Sequence, residues 1–366
     1  MSILPLAFAL LAMAPQSAPP LALRPAPVER LLAEIGRAPA DNAAREARLV
    51  ELFRAAGAEA EDVATVPLDR ALLEPRLAAA RTAIVARLDA AGAGESERAA
   101  ALERQEARWR DVGRNVIAVL PGTTKRVIGF AAHYDTAAGS RGAIDNWSGC
   151  VLLAELYRAL KGQPHEHTFW FLGFAGQEEG CLGAASWVST VREKQAAKID
   201  ALVTVECAGL VAPRAWWSGS SAGILEIVAD AARQVQVPLQ VVDFPGDASD
   251  SCELKRAFLP VACLFGIGFE HASLLHGPRD RVEAIVPEHL AQMHALTLAL
   301  AAEFDRHRQP LRWDYVQDKL RLADPASGRT PLVPTPIDVP RAAPAAAPPT
   351  PAPARSPSPA RDGSHP

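Results

Sequence analysis

Short apolar runs and helical periodicities alternate along most of this chain, which predicts an α/β fold. Beyond residue 114, runs that favour β-strands are followed by stretches with apolar residues at helical spacing. Strands are predicted at 116–120, 127–132, 168–174, 201–206, 215–219, 239–243 and 261–267, and helices at 151–160, 182–194, 224–235 and 287–304. This alternation predicts a three-layer sandwich, in which helices cover both faces of a central mixed, mostly parallel sheet.

The amino-terminal part of the chain has a different pattern, which predicts helices only. Residues 28–57 read as two amphipathic helices, and residues 68–110 read as two more that a GAG sequence separates. The segment 95–110 is so heavily charged that we expect a solvated helix rather than a site. We interpret 28–110 as a helical region that packs on or covers the α/β domain of residues 111–310.

The two ends of the chain are predicted to lie outside the folded domain. Residues 1–22 contain an apolar run too short to span a bilayer, with the small-residue sequence Ala-Met-Ala at its end, and together these predict a signal peptide and a periplasmic or secreted protein. No Lys or Arg precedes the run, which leaves a cytoplasmic protein as the alternative. Residues 324–366 are rich in Pro and Ala, and this composition predicts a disordered tail.

Composition and charge argue against several classes of function. The formal net charge is −4 with both signs interspersed, which argues against a nucleic-acid partner. No later apolar run is long enough for a transmembrane helix, so stable membrane insertion is not expected. The five cysteines form no CxxC pair, which argues against a thiolate zinc site. Cys252 and Cys263 are left as a candidate disulfide, and the pattern indicates no particular oligomeric state.

Histidines and acidic residues follow several predicted strands, at the point where each strand ends. Because the carboxyl ends of parallel strands meet at one edge of a sheet, we expect these side chains to lie close together. Three carboxylates and two imidazoles would balance the charge of two divalent cations that share a hydroxide. Mixed imidazole and carboxylate ligation suits zinc, with manganese or cobalt as alternatives. The candidate ligands are His133, Asp145, Glu179, Glu206 and His276.

Three acidic residues at these strand ends, Glu178, Glu179 and Asp145, have further predicted roles. Neighbouring side chains on extended backbone point in opposite directions, so one of the two glutamates could bind a metal while the other addresses a water. With Glu179 in the ligand set, Glu178 is expected to act as general base. Asp145 is expected to offer one carboxylate oxygen to each metal. By contrast, His165 and His167 lie in a polar turn, and we expect them to be solvated.

Six motifs in this chain resemble those of a known family: AHYDT, GAIDNWSG, GQEEGCLGA, VECAG, ASDS and HGPRD. They are similar, in the same order and across residues 115–305, to the motifs of the co-catalytic di-zinc aminopeptidases, a family that also contains glutamate carboxypeptidase II and the glutaminyl cyclases. The resemblance implies two Zn²⁺ ions and a peptide substrate. Its HGPRD spacing makes His276, rather than the nearby His271, a ligand.

The resemblance also implies a role for each matched residue. Glu178, directly before the ligand Glu179, would be the general base, and Asp135 would orient the first histidine. Asp250 and Asp280 would support the site, and the peptide bond after the bridging aspartate is a candidate for the cis form. The implied ligand sets are His133 and Glu206 for one metal, Glu179 and His276 for the other, and Asp145 as the bridge.

Two positions depart from the family pattern. Glu206 stands where aspartate is more common, which changes the reach of the carboxylate by one methylene, and Cys252 stands where many relatives have histidine. With these departures, we predict a zinc-dependent exopeptidase that removes N-terminal residues from peptides. The alternatives are a single-zinc, glutaminyl cyclase-like acyl transferase, a carboxypeptidase of the same family, and a binding homologue without catalysis.

Overall fold

The computed structural model describes residues 21–191, 193–243 and 249–306, together with a two-residue strand at 335–336. Most of the predicted signal peptide at 1–22 and most of the predicted tail at 324–366 lie outside the described residues. Both therefore stay predictions. The site discussed below lies within the described part of the chain.

The described residues form nine strands and ten α-helices, in the alternating order that the sequence predicts from residue 115 onward. The strands are β1 Val63–Val66, β2 Asn115–Leu120, β3 Val127–His133, β4 Thr168–Phe174, β5 Ile199–Glu206, β6 Arg214–Trp216, β7 Gln240–Asp243, β8 Val261–Phe265 and β9 Thr335–Pro336. The helices are α1 Val28–Ile35, α2 Asn42–Ala55, α3 Arg70–Ala90, α4 Glu95–Arg110, α5 Ser148–Leu160, α6 Leu182–Thr190, α7 Glu193–Ala196, α8 Ala222–Gln234, α9 Asp250–Arg256 and α10 Pro287–Arg306.

All nine strands belong to one sheet, in the order β1-β2-β4-β3-β5-β8-β6-β7-β9. The central strands β4, β3, β5 and β8 run parallel to one another. Antiparallel pairs lie on both sides of this centre, where β2 joins β4 and β6 joins β8. The prediction of a mixed, mostly parallel sheet is therefore confirmed.

Both faces of the sheet are covered, as the continuous apolar character of β3 requires. All seven residues of β3 are buried, and alternate ones belong to different cores. Ile128 and Phe130 face the larger core, whereas Val127 and Ala131 face a second core with α6 and α9. Helices α1, α2, α5, α8 and α10 pack together on the first side. This arrangement is the predicted three-layer sandwich.

The amino-terminal region departs from its prediction as purely helical. The short sequence VATV forms β1, which extends the sheet by pairing antiparallel with β2. A run of four residues between helical segments is too short to show the alternation that identifies a strand. Helices α1 and α2 pack against α5, and α3 packs against α6 and α4. Residues 28–110 therefore pack directly on the α/β domain.

Two expectations about the whole chain can be compared with the described residues. None of the described helices is long and apolar enough to cross a membrane. All five cysteines are buried and free, so Cys252 and Cys263 do not form a disulfide.

Candidate metal centre

Asp145 lies at the centre of the predicted site, between two histidines. Its Oδ1 atom lies 3.2 Å from His133 Nε2, and its Oδ2 atom lies 3.0 Å from His276 Nε2. His133 is the last residue of β3, and both His133 and Asp145 are buried. Each carboxylate oxygen thus faces a different imidazole, which is the arrangement that a bridging carboxylate needs.

The backbone around Asp145 is held by three polar contacts. The Asp145–Asn146 peptide bond is cis, as predicted. Asp280 accepts hydrogen bonds from the amides of Ile144, at 2.7 Å, and of Asp145, at 3.4 Å. The Asn146 side chain donates to the carbonyl oxygen of Val205 in β5, at 2.9 Å. The loop that carries Asp145 is therefore fixed to the neighbouring strand and to the HGPRD segment.

Arg45 of α2 also holds this loop, and no sequence pattern predicted this contact. Its fully buried guanidinium donates to the carbonyl oxygens of Tyr134, at 3.0 Å, and Gly142, at 3.1 Å. It also stacks 5.5 Å from the centroid of the Trp147 ring. An arginine in an amphipathic helix ordinarily reads as a surface residue, so no local pattern distinguishes this one.

The turn after β4 carries Glu178 and Glu179. Gly176 has a φ of +68°, and the amide of Gly180 donates to the carbonyl oxygen of Gln177 at 2.9 Å. Asp135 accepts hydrogen bonds from the amides of Gln177 and Glu178, both at 3.0 Å. The backbone is therefore a tight turn anchored to Asp135, and it is not the extended segment assumed in the sequence analysis.

Glu178 is the glutamate that reaches the candidate ligands. One ligand atom from each of Asp145, Glu178 and His276 lies within 4.8 Å of the other two. Glu178 Oε2 lies 3.3 Å from His276 Nε2. Glu178 Oε1 is buried and has no hydrogen-bond partner among the described residues. We call these three residues the donor group.

Glu179, which the sequence analysis assigned as a ligand, points elsewhere. Its carboxylate accepts a hydrogen bond from Gln105 of α4, and its Oε1 atom lies 3.9 Å from an Arg108 nitrogen. The structure thus places Glu178, and not Glu179, beside Asp145 and His276. The alternation of side chains on an extended strand does not apply to this turn, and the ligand role of Glu179 stays a prediction.

Glu206, at the end of β5, lies outside the donor group. Its Oε1 atom accepts a 2.6 Å hydrogen bond from Ser249, the residue that caps α9. The neighbouring Asp250 is buried, and its Oδ1 atom has no hydrogen-bond partner among the described residues. Burial raises the pKa of Asp250, and His133 and Glu206 are near enough for their charges to influence it. Ser249 was missed, because a helix-capping serine carries no signal for a role at a site.

Asp135 is predicted to orient His133, whose Nδ1 atom is buried and has no hydrogen-bond partner among the described residues, so this role stays a prediction. Asp135 Oδ1 lies 3.4 Å from His133 Nδ1. His271, by contrast, lies in the loop after β8, where its Nδ1 atom accepts a hydrogen bond from the amide of Gly268 at 3.3 Å. It is not part of the donor group.

The charges of the site shift the pKa values of its members in opposite directions. Burial alone would raise the pKa of Asp145, but its contacts with His133 and His276 hold that pKa below the ordinary value. The contact with Asp145 raises the pKa of His276 to about 9. Burial, together with the charge of Asp145, raises the pKa of Glu178 to about 7. A group with these shifts is typical of a functional site.

Comparison with known proteins identifies the family. The family described as peptidase family M28 matches residues 115–301, which is half of the chain. The chain belongs to peptidase family M28. The matched segment contains all seven of the site residues predicted from the sequence.

Individual relatives of this M28 chain are distant. Aminopeptidase YwaD of Bacillus subtilis is 25% identical over 207 residues, covering 54% of this chain and 45% of that protein. The structure of BSAP, a zinc aminopeptidase from Bacillus subtilis, has a TM-score of 0.50 at 25% identity, over 54% of this chain and 51% of that one. The chain therefore spans about half the length of the curated relatives it matches.

A glutaminyl cyclase from an Acidobacteriales bacterium shares the fold. Its structure has a TM-score of 0.58 at 16% identity, and the match covers 82% of this M28 chain and 100% of the cyclase. At this identity the likeness concerns the fold alone. It shows that the sandwich of this chain, including parts outside the M28 segment, resembles a complete domain of known structure.

The donor group of this M28 chain suits a divalent cation. Two carboxylates and one imidazole are a ligand set that zinc accepts. The unpartnered and buried Glu178 Oε1 atom would leave a polar group unsatisfied unless a cation or water meets it. The residues present therefore fit a metal ion.

An open cavity lies beside the site. Its volume is about 1020 Å³, and it lies between α2, the end of α4 and the loop at 135–139. Asp135 and Glu179 line it, and each is within two residues of a candidate ligand. The cavity is large enough for several residues of a peptide.

Proposed function

We propose that this M28 chain is a metal-dependent aminopeptidase that acts on peptides. The observation that carries the proposal is the donor group of Asp145, Glu178 and His276 at the carboxyl end of the sheet. Ligands bind at this end of open α/β sheets. The names of the relatives, which include zinc aminopeptidases, agree with it.

The proposed cofactor is a pair of Zn²⁺ ions, with Mn²⁺ or Co²⁺ as substitutes. Glu178 and His276 would hold one ion, His133 and Glu206 the other, and Asp145 would serve both. The two contacts of Asp145, one from each carboxylate oxygen, support this division. Bound metal polarises a substrate carbonyl and lowers the pKa of water.

The proposed ligand role of Glu178 changes the base assignment. The family resemblance puts the base directly before the ligand, and the residue directly before Glu178 is Gln177. An amide does not take up a proton at neutral pH. Glu179, on the other side, has its carboxylate engaged by Gln105. We therefore expect proton transfer to limit turnover in this chain.

A single-metal acyl transferase of the glutaminyl cyclase kind is the second candidate. One observation favours it: the described residues contain one group of three donors within 4.8 Å, and Glu206 is not in that group. One compact group would hold one ion. The His133–Asp145 contact favours the two-metal proposal over this candidate.

We also propose that the protein is exported to the periplasm or secreted. The support is the apolar run and small-residue sequence within residues 1–22. Mass spectrometry of the protein purified from its native host would test this. A chain that begins after residue 14 supports export, whereas an intact first residue in a cytoplasmic fraction contradicts it.

A panel of aminoacyl-p-nitroanilides tests the proposed function. Each substrate is paired with its N-acetylated form, and the protein is assayed as isolated, after chelation, and after zinc is restored. We expect slow hydrolysis only of the substrates with a free amino group. This activity should be lost after chelation and should return when zinc is restored. Hydrolysis that ignores chelator, or equal cleavage of acetylated substrates, would contradict a metallo-aminopeptidase.

A peptide with N-terminal glutamine distinguishes the second candidate, the acyl transferase, from an aminopeptidase. A cyclase releases ammonia and keeps every residue of the peptide, whereas an aminopeptidase releases free glutamine and shortens the peptide by one residue. Cleavage of N-blocked peptides at their carboxyl end would instead favour the carboxypeptidase alternative. Tight zinc binding without turnover of any substrate would favour the binding homologue.

A further inference from the structure

The paired helices α3 and α4, which we call the α3–α4 hairpin (residues 70–110), contact the turn that carries the proposed ligand Glu178, and they also contact helix α9. Arg76 of α3 donates from Nη1 to the carbonyl oxygen of Gly180 at 2.8 Å. Its Nη2 atom lies 2.7 Å from both carboxylate oxygens of Glu253 in α9. One guanidinium thus links the turn of Glu178 to the helix whose cap, Ser249, holds Glu206.

A second contact from the α3–α4 hairpin fixes the same turn. Gln105 of α4 donates a hydrogen bond to Glu179, and Arg108 lies 3.9 Å from the same carboxylate. The two residues that follow Glu178, which are Glu179 and Gly180, are therefore both held by the hairpin. With Asp135 bound to the amides before them, the turn is fixed from both ends.

The α3–α4 hairpin is itself anchored to the domain, so it can serve as a support. Leu73 and Leu77 of α3 and Trp109 of α4 are buried. The amide of Asp69, at the start of α3, donates to the buried hydroxyl of Ser186 in α6 at 2.8 Å. These contacts tie the hairpin to the same helix that follows the Glu178 turn.

We propose that Arg76 and Gln105 are positioning residues of the metal centre. They hold the turn so that Glu178, rather than Glu179, faces Asp145 and His276. Arginine suits this position because its planar fork donates to a carboxylate and a carbonyl oxygen together, which the point charge of lysine does not. The inference rests on the proposed metal centre, and it gives the charged helix α4 a role at the site.

Zinc affinity, measured by competition with a chromophoric chelator, tests this inference. We expect Arg76→Ala to lower the affinity roughly 10-fold to 100-fold, the range for groups that support metal ligands. The visible spectrum of the cobalt-substituted protein should change as well, because it reports ligand number. Arg76→Lys should recover thermal stability but not zinc affinity. Arg87→Ala, an exposed arginine on the same helix, is the control and should change neither.

The outcomes separate this inference from the proposed function. Wild-type affinity and an unchanged cobalt spectrum in Arg76→Ala would overturn the inference alone. No zinc binding by the wild-type protein would overturn the proposed metal centre and the inference together. If Arg76→Ala does not fold, Gln105→Ala tests the same claim. It should lower zinc affinity several-fold, and wild-type affinity in that variant would overturn the inference.

Discussion

Two buried histidines, each between two aspartates, lie at opposite ends of the same sheet. His133 lies between Asp135 and Asp145 at the carboxyl end. His167 lies between Asp200 and Asp305 at the amino end, with both contacts at 3.1 Å. The two triads have the same residue types. They differ in their contacts, because both ring nitrogens of His167 are hydrogen-bonded, whereas His133 Nδ1 has no hydrogen-bond partner among the described residues.

The surroundings of His167 satisfy its partners. Asp305 accepts hydrogen bonds from the amides of Glu166, at 3.0 Å, and His167, at 2.8 Å. Asp200 accepts a 2.6 Å hydrogen bond from Arg126. The carboxylates are thus paired with amides or cations, and the triad ties the end of α10 to the starts of β4 and β5.

The surroundings of His133 include a carboxylate oxygen that accepts no hydrogen bond from the described part of the chain. Asp145 faces a second histidine, His276, and Glu178 adds a third carboxylate whose Oε1 atom is buried and without a hydrogen-bond partner among the described residues. Buried polar groups are ordinarily paired, so this exception calls for a ligand. Unsatisfied acceptors, rather than histidine–aspartate contacts, therefore distinguish a candidate metal centre from a structural ion pair.

The largest expected difference between the two triads concerns metal binding. Asp145→Ala should reduce zinc affinity by more than about 100-fold, beyond the range of supporting groups. Asp200→Ala should keep wild-type zinc affinity but lose about 3 kcal/mol of folding stability, because it removes the carboxylate from a buried ion pair with His167. Metal titration and urea unfolding of both variants check this. A strong loss of zinc affinity in Asp200→Ala would contradict a purely structural role for the His167 triad.

A substitution in the turn after β4 tests whether the lack of a general base limits turnover. Gln177→Glu places a carboxylate directly before the proposed ligand Glu178. We expect it to raise kcat at least about tenfold, since general base catalysis contributes roughly 10²–10⁴-fold where it operates. Zinc affinity should stay unchanged. A wild-type kcat in Gln177→Glu would argue that proton transfer does not limit turnover.

The His167 triad should show its own pH dependence. Burial opposes the effect, but Asp200 and Asp305 raise the pKa of His167 above its ordinary value. The stabilising contribution is therefore fully present below the unfolded pKa of about 6.5 and is lost as pH rises through the folded pKa. The difference in unfolding free energy between wild type and His167→Gln should fall by up to about 1.4 kcal/mol per pH unit. A constant difference from about pH 6 to pH 9 would contradict this charged triad.

The smallest expected effect concerns the second proposed ion. Ser249→Ala removes the 2.6 Å hydrogen bond to Glu206. We expect one of two zinc ions to bind about tenfold more weakly, while the other is unaffected. Calorimetric zinc titration distinguishes the two ions. A single binding event in both proteins would instead support the one-metal alternative.

Much of the fold could be predicted from the sequence, because apolar residues in the longer elements recur at a clear helical or strand spacing. The central strands and both helical layers follow from that period. The strand β1, with four residues, and helix α9, with seven, were too short to read. His165 and His167 were wrongly expected to be solvated, since their burial depends on Asp305, which lies 138 residues away from His167 in the chain.

Only some contacts of the site could be predicted from the sequence. His133, Asp145 and His276 come together as expected, because strand ends and a motif both constrain them. The directions of Glu178 and Glu179 depend on a turn and on contacts with α4, which no local pattern encodes. Arg45, Gln105 and Ser249 act on the site from distant segments, and their residue types are ordinary surface or capping residues. Such contacts become visible only in the folded chain.

Zinc binding by the neighbouring variants Glu178→Ala and Glu179→Ala tests the central claim most directly. The two changes remove the same carboxylate one residue apart, so each is the matched control of the other. We predict that Glu178→Ala lowers zinc affinity by more than about 100-fold, beyond the range of supporting groups. Glu179→Ala should stay within tenfold of wild type, since the loss of a supporting contact costs about that much or less. The reverse result, with zinc retained by Glu178→Ala and lost by Glu179→Ala, would contradict the account and restore the assignment made from the sequence.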